Sequence, residues 1–482
     1  MLPKIAATGE STKSRTGSNE ALPKIAVPEP DAATHAIKSK ESPGKAKPTS
    51  RPVSAKMMAK TPTRPRSPTI ELASKRFMTR RLAYASAVSL DREYRPRLHF
   101  TPAKNWMNDP NGLVWHKGEY HLFFQHNPFG TQWGHMSWGH AVSKDLIQWE
   151  ELPVAIAEGD DGAIFSGSAV SIGDEIVAFY TRHTETNQSQ CIARSSDNGR
   201  TFVKFENNPV LDENKKDFRD PKVFKYQDHW IMCAVQPWDH QVSFYKSLDL
   251  ITWQYLSDFG PAAAIGGVWE CPDLFPIIFE GNEYWVLLVS LNPGGLCGSG
   301  TQYFVGDFNG DSFTPKYSTN EPRWLDFGRD NYAGVTFSNE PNGKRILISW
   351  MANWEFLKEH PETSWTNAMT IPRELGLAVY GGEIVLTQQP MCSPTYEIKV
   401  PMPDTGVVGL QGFVKVGYDA DRKVIFIDQF EAPYDVEAED LHLKVVIDQS
   451  SVELFTGDGI RSITMATFPP PGTPRELVSF SQ

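Results

Sequence analysis

The chain has no apolar run approaching the roughly 18 residues of a membrane-crossing helix, so no membrane span is expected. Cysteine is scarce: Cys191, Cys233, Cys271, Cys297 and Cys392 are odd in number, widely spaced and form no CxxC pair. This excludes a disulfide scaffold and a zinc knuckle, and leaves the thiols as small, mostly buried apolar groups. The N-terminus lacks the basic-then-apolar pattern of a secretory signal, which favours the cytosol. The single sequon, Asn187-Gln188-Ser189, adds little to the case for secretion. Residues 1–76 contain no Phe, Tyr or Trp and are rich in Pro, Ser, Thr, Ala and Lys. Such a segment cannot bury enough apolar area to offset its conformational entropy, so residues 1–92 are expected to form a disordered leader. A short helix is expected from Glu71 to Ala83, and order from near Tyr94. The pentapeptide Leu2–Ala6 recurs as Leu22–Ala26, as a spacer repeat or a short docking motif.

Basic charge is scarce in the remainder. Residues 1–90 hold 17 Lys/Arg against 6 Asp/Glu, net +11, while the other 392 residues hold 30 against 52, net −22. An acidic body argues against nucleic acid or an anionic membrane as partner.

From His99 to about Thr387 there is no sustained helical periodicity. Runs of four to seven alternating residues, such as Glu119–Gln125, Glu175–Thr181, His229–Val235, Glu283–Leu288 and Arg345–Trp350, are instead separated by Gly, Asn, Asp and Pro turns. These read as short strands. A looser repeat overlies them. Trp138–Trp149 is echoed by Val242–Trp253 and more distantly by Gln190–Phe202, each running from a strand through Ser and an Asp-containing turn to an aromatic residue. Recurring blocks of short strands with a repeated turn predict a β-propeller. Five blocks open near Asn108, Ser166, Arg219, Glu270 and Asn331. The expected organisation is all-β: a five-bladed propeller over 93–387, a linker over 388–406, and a shortened β-sandwich over 407–482.

The innermost strands of such blocks would deliver their opening residues to one end of a central channel. Three of them carry carboxylates in turn-like, aromatic settings: Trp106-Met-Asn-Asp-Pro-Asn-Gly112, Phe218-Arg-Asp-Pro221 and Trp269-Glu-Cys-Pro-Asp273. Two carboxyl groups, one a nucleophile and one an acid, are what retaining glycoside hydrolysis requires. Asp109 in a tight turn suits the nucleophile. Glu270, flanked by Trp269 and Cys271, suits a carboxyl kept protonated by a low-polarity setting. Asp220, beside Arg219, suits a charged group gripping sugar hydroxyls. Trp106, Trp133, Phe165 and Trp269 would present flat faces to a sugar ring, with Asn108, Gln125 and Arg219 as directional hydrogen-bonding groups. Taken singly, any of these is more often a turn or core residue. Trp149 and Trp253, at equivalent repeat positions, are expected in the core.

Two decoys are set aside. Gly294–Gly300 lacks the Lys-Ser/Thr and following helix of a phosphate loop and reads as a turn. His126, His135 and His140 are close in sequence, but no acidic ligand spacing completes a metal site.

These blocks, with Phe165-Ser-Gly-Ser168, Asp330-Asn-Tyr-Ala333, Trp365 through Arg373-Glu-Leu375, and Val446–Phe455, closely resemble glycoside hydrolase family 32, the invertase, levanase and inulinase family. The resemblance spans roughly 97–482. It implies exo-acting, retaining release of terminal β-D-fructofuranosyl units from sucrose, inulin or levan, with no metal or organic cofactor. Asp109 would be the nucleophile, Asp220 the transition-state stabiliser and Glu270 the acid/base, with Ser166 and Cys271 joining the substrate-binding set. Asp273, Ser290–Gly295 and Gly300–Gln302 look more like microbial levanases and inulinases than plant invertases. The resemblance makes secretion and a homodimer plausible. A fructosyltransferase using the same triad and a non-catalytic fructan-binding protein are the rival readings. The stretch between Gln389 and Val407 is brief for the family, as if sandwich strands were missing.

Overall fold

The computed structural model describes residues 90–394, 396–401, 406–410, 414–437, 439–474 and 477–480. Residues 1–89 of the expected leader, its helix over Glu71 to Ala83 and the repeated pentapeptide lie outside them; residues 90–92, read as the end of a disordered leader, instead begin a short helix that runs to Tyr94. The described residues are predominantly β-structure and form seven sheets, each with open edges. Five of them follow one another in sequence. Their leading strands are Asn105–His116, Ala163–Ile172, Arg219–Tyr226, Val268–Phe279 and Tyr332–Thr336. Within each sheet the following strands pair mainly with their sequence neighbours, antiparallel.

Period-two alternation gives each sheet two apolar faces, and each junction between consecutive sheets is filled by its own cluster. Phe123 and Trp138 meet Ile164 and Tyr180; Phe179 and Ile192 meet Val223 and Met232; Val235 and Phe244 meet Trp269 and Leu287. Phe275 and Leu288 meet Leu347 and Leu386, and Ile346 and Ile348 of the fifth sheet meet Leu122 and Phe124 of the first. Non-directional burial of this kind fixes neighbours without fixing chemistry.

The repeated turn has one geometry at two of its copies. Ser143 Oγ accepts the Leu146 N–H (2.8 Å), Asp145 Oδ1 accepts those of Ile147 and Gln148, and the Trp149 indole donates to the Leu146 carbonyl. Ser247, Asp249 and Trp253 repeat each contact, and Leu146 and Leu250 share a left-handed φ near 70°. Trp149 and Trp253 are half-buried rather than enclosed, because each indole N–H serves the turn while its ring packs on Phe100 or Phe179. Gly295 and Gly298 pair at the end of a hairpin, as the turn reading of that stretch expected.

The two remaining sheets face each other across a cluster including Val416, Ile425, Leu443 and Leu454. Tyr396–Pro401, inside the stretch read as a linker, is a strand paired with Asp440–Asp448. The brevity of that stretch therefore does not leave it without sheet structure.

A buried charge network ties this region to the fifth sheet. His99 places Nδ1 2.9 Å from Asp448 and Nε2 2.7 Å from Glu453, while Arg373 donates to Glu453 (2.5 Å) and Asp326 (3.0 Å). Burial opposes a charged His99, but hydrogen bonds and charge from Asp448 and Glu453 prevail and push it up to about 9. A group whose folded pKa is raised stabilises fully below its unfolded value and loses that contribution as pH rises through the folded one. The His99 contribution, on the order of 3 kcal/mol, is thus expected to disappear between about pH 6.5 and 9. Denaturant unfolding at pH 6 and pH 9.5 should show this loss in the parent and not in His99→Gln; equal slopes in the two proteins would refute it.

Candidate active site

Each of the five leading strands carries a bulge at the same end. Register slips by one residue between Met107 and Pro110, Phe165 and Gly167, Arg219 and Lys222, Glu270 and Asp273, and Tyr332 and Val335. The slips fall within Met107–Pro110, Phe165–Gly167, Arg219–Lys222, Glu270–Asp273 and Tyr332–Val335, the stretches that carry Asp109, Ser166, Asp220, Cys271 and Ala333. Asp220, Cys271 and Ala333 hold φ of 62°, 47° and 54°, left-handed values that non-glycine residues rarely adopt. Bulges re-aim side chains and recur beside active sites. Here they turn consecutive residues of five strands toward one another.

Cys271 is the link. Its N–H donates to Asp220 Oδ2 (2.8 Å), and its Sγ lies 3.5 Å from Asp109 Oδ2. Its neighbour Glu270 accepts from Arg219 Nη2 at 2.9 Å through one oxygen and from the Tyr332 hydroxyl through the other. Asp109 is held at both ends: Oδ2 accepts from Ser166 Oγ (2.7 Å) and Oδ1 from Asn108 Nδ2 (3.0 Å). Asn108 is itself oriented by the Trp106 indole N–H (2.7 Å). Asp220 takes its backbone position from Thr181, whose hydroxyl accepts the Asp220 N–H (3.0 Å).

Asp109, Asp220 and Glu270 thus crowd one another around Cys271, and burial favours retaining a proton among them. Burial, then the charge of Glu270, raises the Asp109 pKa against hydrogen bonds from Ser166, Asn108 and Cys271. Burial pushes Asp220 up to about 7 despite Arg219 and the Cys271 N–H. The Cys271 thiol is driven well above its ordinary range, first by burial and then by the three acids, which suits a packing and hydrogen-bonding group and not a thiolate nucleophile.

Several expectations need correction. Arg219 does not chiefly serve Asp220: its Nε is 3.9 Å from that carboxylate, whereas its closest acid contact is Glu270. Trp269 is wholly buried between the third and fourth sheets, so strand alternation places it on the face away from Glu270 and it offers no surface to a sugar. Glu270 accordingly has polar partners, and its side chain is 22% exposed. Trp106 is buried against Trp350 and Trp354, and acts on the site through Asn108. Gln125 is buried and donates to Asn111 Oδ1 (2.8 Å), whose amide in turn donates to the Asp109 carbonyl. Phe165 has one face covered by His183 at 4.2 Å, and Trp133, 51% exposed, meets it edge-on. Asp273 is fully buried and pairs with Lys222 (3.0 Å), two residues beyond the bulge.

Tyr332, Thr181 and Trp354 were not singled out from sequence. Tyr332 had a signal: it opens the fifth block at the position equivalent to Arg219 and Glu270. Thr181 and Trp354 had none, since each reaches the site from another strand or loop. Among the described residues, no group of three or more His, Cys, Asp or Glu is placed to hold a metal ion.

Residues 99–390 match the N-terminal domain of the glycosyl hydrolases of family 32, and residues 407–482 match the family's C-terminal domain. A levanase of Bacillus subtilis is 40% identical over 455 residues, covering 79% of this chain and 67% of the relative. An extracellular exo-inulinase of Aspergillus niger is 35% identical over 490 residues, covering 80% and 91%. The crystal structure of an exo-inulinase from Aspergillus awamori superposes with a TM-score of 0.74 at 33% identity, covering 79% of this chain and 94% of that one. With two domain matches in order and relatives covered over most of their length, the chain belongs to family 32 of the glycosyl hydrolases and is a glycoside hydrolase of the β-fructofuranosidase type.

Proposed function

We propose that this enzyme releases terminal β-D-fructofuranosyl units from sucrose, inulin or levan with retention of configuration. The observation that carries the reading is the convergence of Asp109, Asp220 and Glu270 around Cys271. The relatives named levanase and exo-inulinase support the substrate class. Asp109, its carboxylate oriented by Ser166 and Asn108, attacks the anomeric carbon as the glycosidic C–O bond breaks. Glu270 gives its proton to the departing oxygen. In the second step Glu270 takes a proton from water, the water oxygen attacks the anomeric carbon, and the Asp109 ester bond breaks to free fructose. Asp220 accepts hydrogen bonds from fructose hydroxyls that strengthen as positive charge develops on the ring. Arg219 and Tyr332 hold Glu270 between proton transfers.

The same reading assigns the five consecutive sheets to the blades of a closed five-bladed propeller, with the last two forming the sandwich. The apolar cluster joining the fifth sheet to the first supports ring closure. The bulges at one end of all five leading strands support a common axis, because strands gathered around one would bring Asp109, Asp220 and Glu270 together.

Chromatography of products from sucrose, inulin and levan tests the activity. Free fructose is expected as the sole early product from both polymers. Early release of mixed oligosaccharides would refute exo action.

A further inference from the structure

Trp238 is 65% exposed, an unusual position for a large apolar ring with no assigned role. It sits in the turn between the strands His229–Gln236 and Gln241–Ser247 of the third sheet. Pairing of Arg219 with Val235 and of Val235 with Val242 puts that turn at the same end of the sheet as the carboxylates. The turn is tied to the acid strand directly: the Pro237 carbonyl accepts the Trp269 N–H (3.1 Å), one residue before Glu270, and His240 Nε2 bonds the Gly267 carbonyl (2.7 Å).

Two further exposed apolar residues stand on loops at the same end of the neighbouring sheet. Ile265, 52% exposed, precedes the acid strand, and Leu296, 50% exposed, lies in the fourth sheet's hairpin turn. Their loops meet backbone to backbone. A Cβ on Gly294 would lie 2.0 Å from the Gly266 carbonyl oxygen, and one on Gly267 2.2 Å from that of Pro293. Close contact of this kind presents the side chains on a fixed rim, so little entropy is lost when a ligand settles on it.

From this placement we infer that Trp238, Ile265 and Leu296 form a leaving-group surface that binds the fructosyl units beyond the scissile bond, giving the enzyme a preference for fructan chains over sucrose. The inference rests on the proposed fructosidase activity. The proton donor must stand on the side of the departing oxygen, so the leaving group extends past Glu270, where this rim lies. Sugar rings carry apolar C–H faces that pack on an indole, and a flat exposed ring tolerates the several conformations of a furanose chain. Trp133, beside Phe165 and Ser166, belongs to a different wall of the site.

The test is the kinetics of Trp238→Ala and Trp238→Phe on sucrose, a series of fructo-oligosaccharides of rising length, inulin and levan. For Trp238→Ala, KM is expected to rise about five- to tenfold on the polymers, with kcat unchanged and kcat/KM on sucrose held within about twofold. The penalty should grow with chain length and then level off, and Trp238→Phe should restore most of it. A merely structural role would lower activity on every substrate alike. Equal effects on sucrose and polymers, or no effect on either, overturn the inference while leaving the fructosidase reading intact. A parent enzyme silent on sucrose, inulin and levan alike overturns both.

Discussion

Asp109→Asn is expected to lower kcat on sucrose by about 10⁴-fold or more, the scale of losing a catalytic nucleophile. The isosteric amide still accepts a hydrogen bond from Ser166 Oγ, so the substitution removes the attacking charge with little change of shape. Stability should move the other way. Burial and the nearby charge of Glu270 raise the Asp109 pKa, so its ionisation costs folding free energy at neutral pH. The uncharged variant should therefore melt at a higher temperature than the parent. The paired measurement separates lost chemistry from misfolding: an inactive variant that also melts lower would have lost its site by collapse. Intact-mass analysis of the parent quenched during turnover should show one added fructosyl group, and peptide mapping should locate it on Asp109. A fructosyl group mapped to another carboxylate would overturn the assignment.

Glu270→Gln is the second large effect, and it should depend on the leaving group. On sucrose and fructans, whose leaving oxygen needs a proton, kcat should fall by about 10² to 10⁴-fold. An activated aryl fructoside departs without that help, so the first turnover should survive as a burst of aryl alcohol. The second step then stalls, because water has lost its base. Azide, a nucleophile needing no deprotonation, should relieve the stall and yield a fructosyl azide of retained configuration. Equal losses on sucrose and in the aryl burst would show that Glu270 does not act as the acid. Arg219 and Tyr332, which bond its two oxygens, would then be holding a group with another role.

How far the sequence reached is clearest at the repeated turns and the acidic blocks. Ser143-Lys-Asp145 and Ser247-Leu-Asp249 could be matched by eye because their side chains bond their own backbone two and three residues on, a local interaction that composition records. The three carboxylates were legible because each stands in a short block with a turn-forming Pro after it. Tyr332 does not stand out in the sequence because an aromatic at a strand start is ordinary, and only its register with Arg219 and Glu270 distinguishes it. Trp106 and Trp269 look like sugar platforms in the sequence because it reports an aromatic ring but not the face it occupies. One lies buried in an aromatic group and the other between sheets.

By itself the sequence determined the all-β class, the repeat of short strands, the acidic body and the identities of the three carboxylates. These depend on side-chain alternation, local turn chemistry and charge, which act over a few residues. Only the tertiary structure decided which acid Arg219 serves, that Cys271 joins Asp220 to Asp109, and that Trp238 stands free beside the acid strand. Those relations join residues far apart in the chain, 51 positions for Arg219 with Glu270 and 162 for Cys271 with Asp109, through one-residue bulges, and a bulge shifts every following side chain to the opposite face. Spacing along the chain carries no trace of that shift until the neighbouring strand is in place.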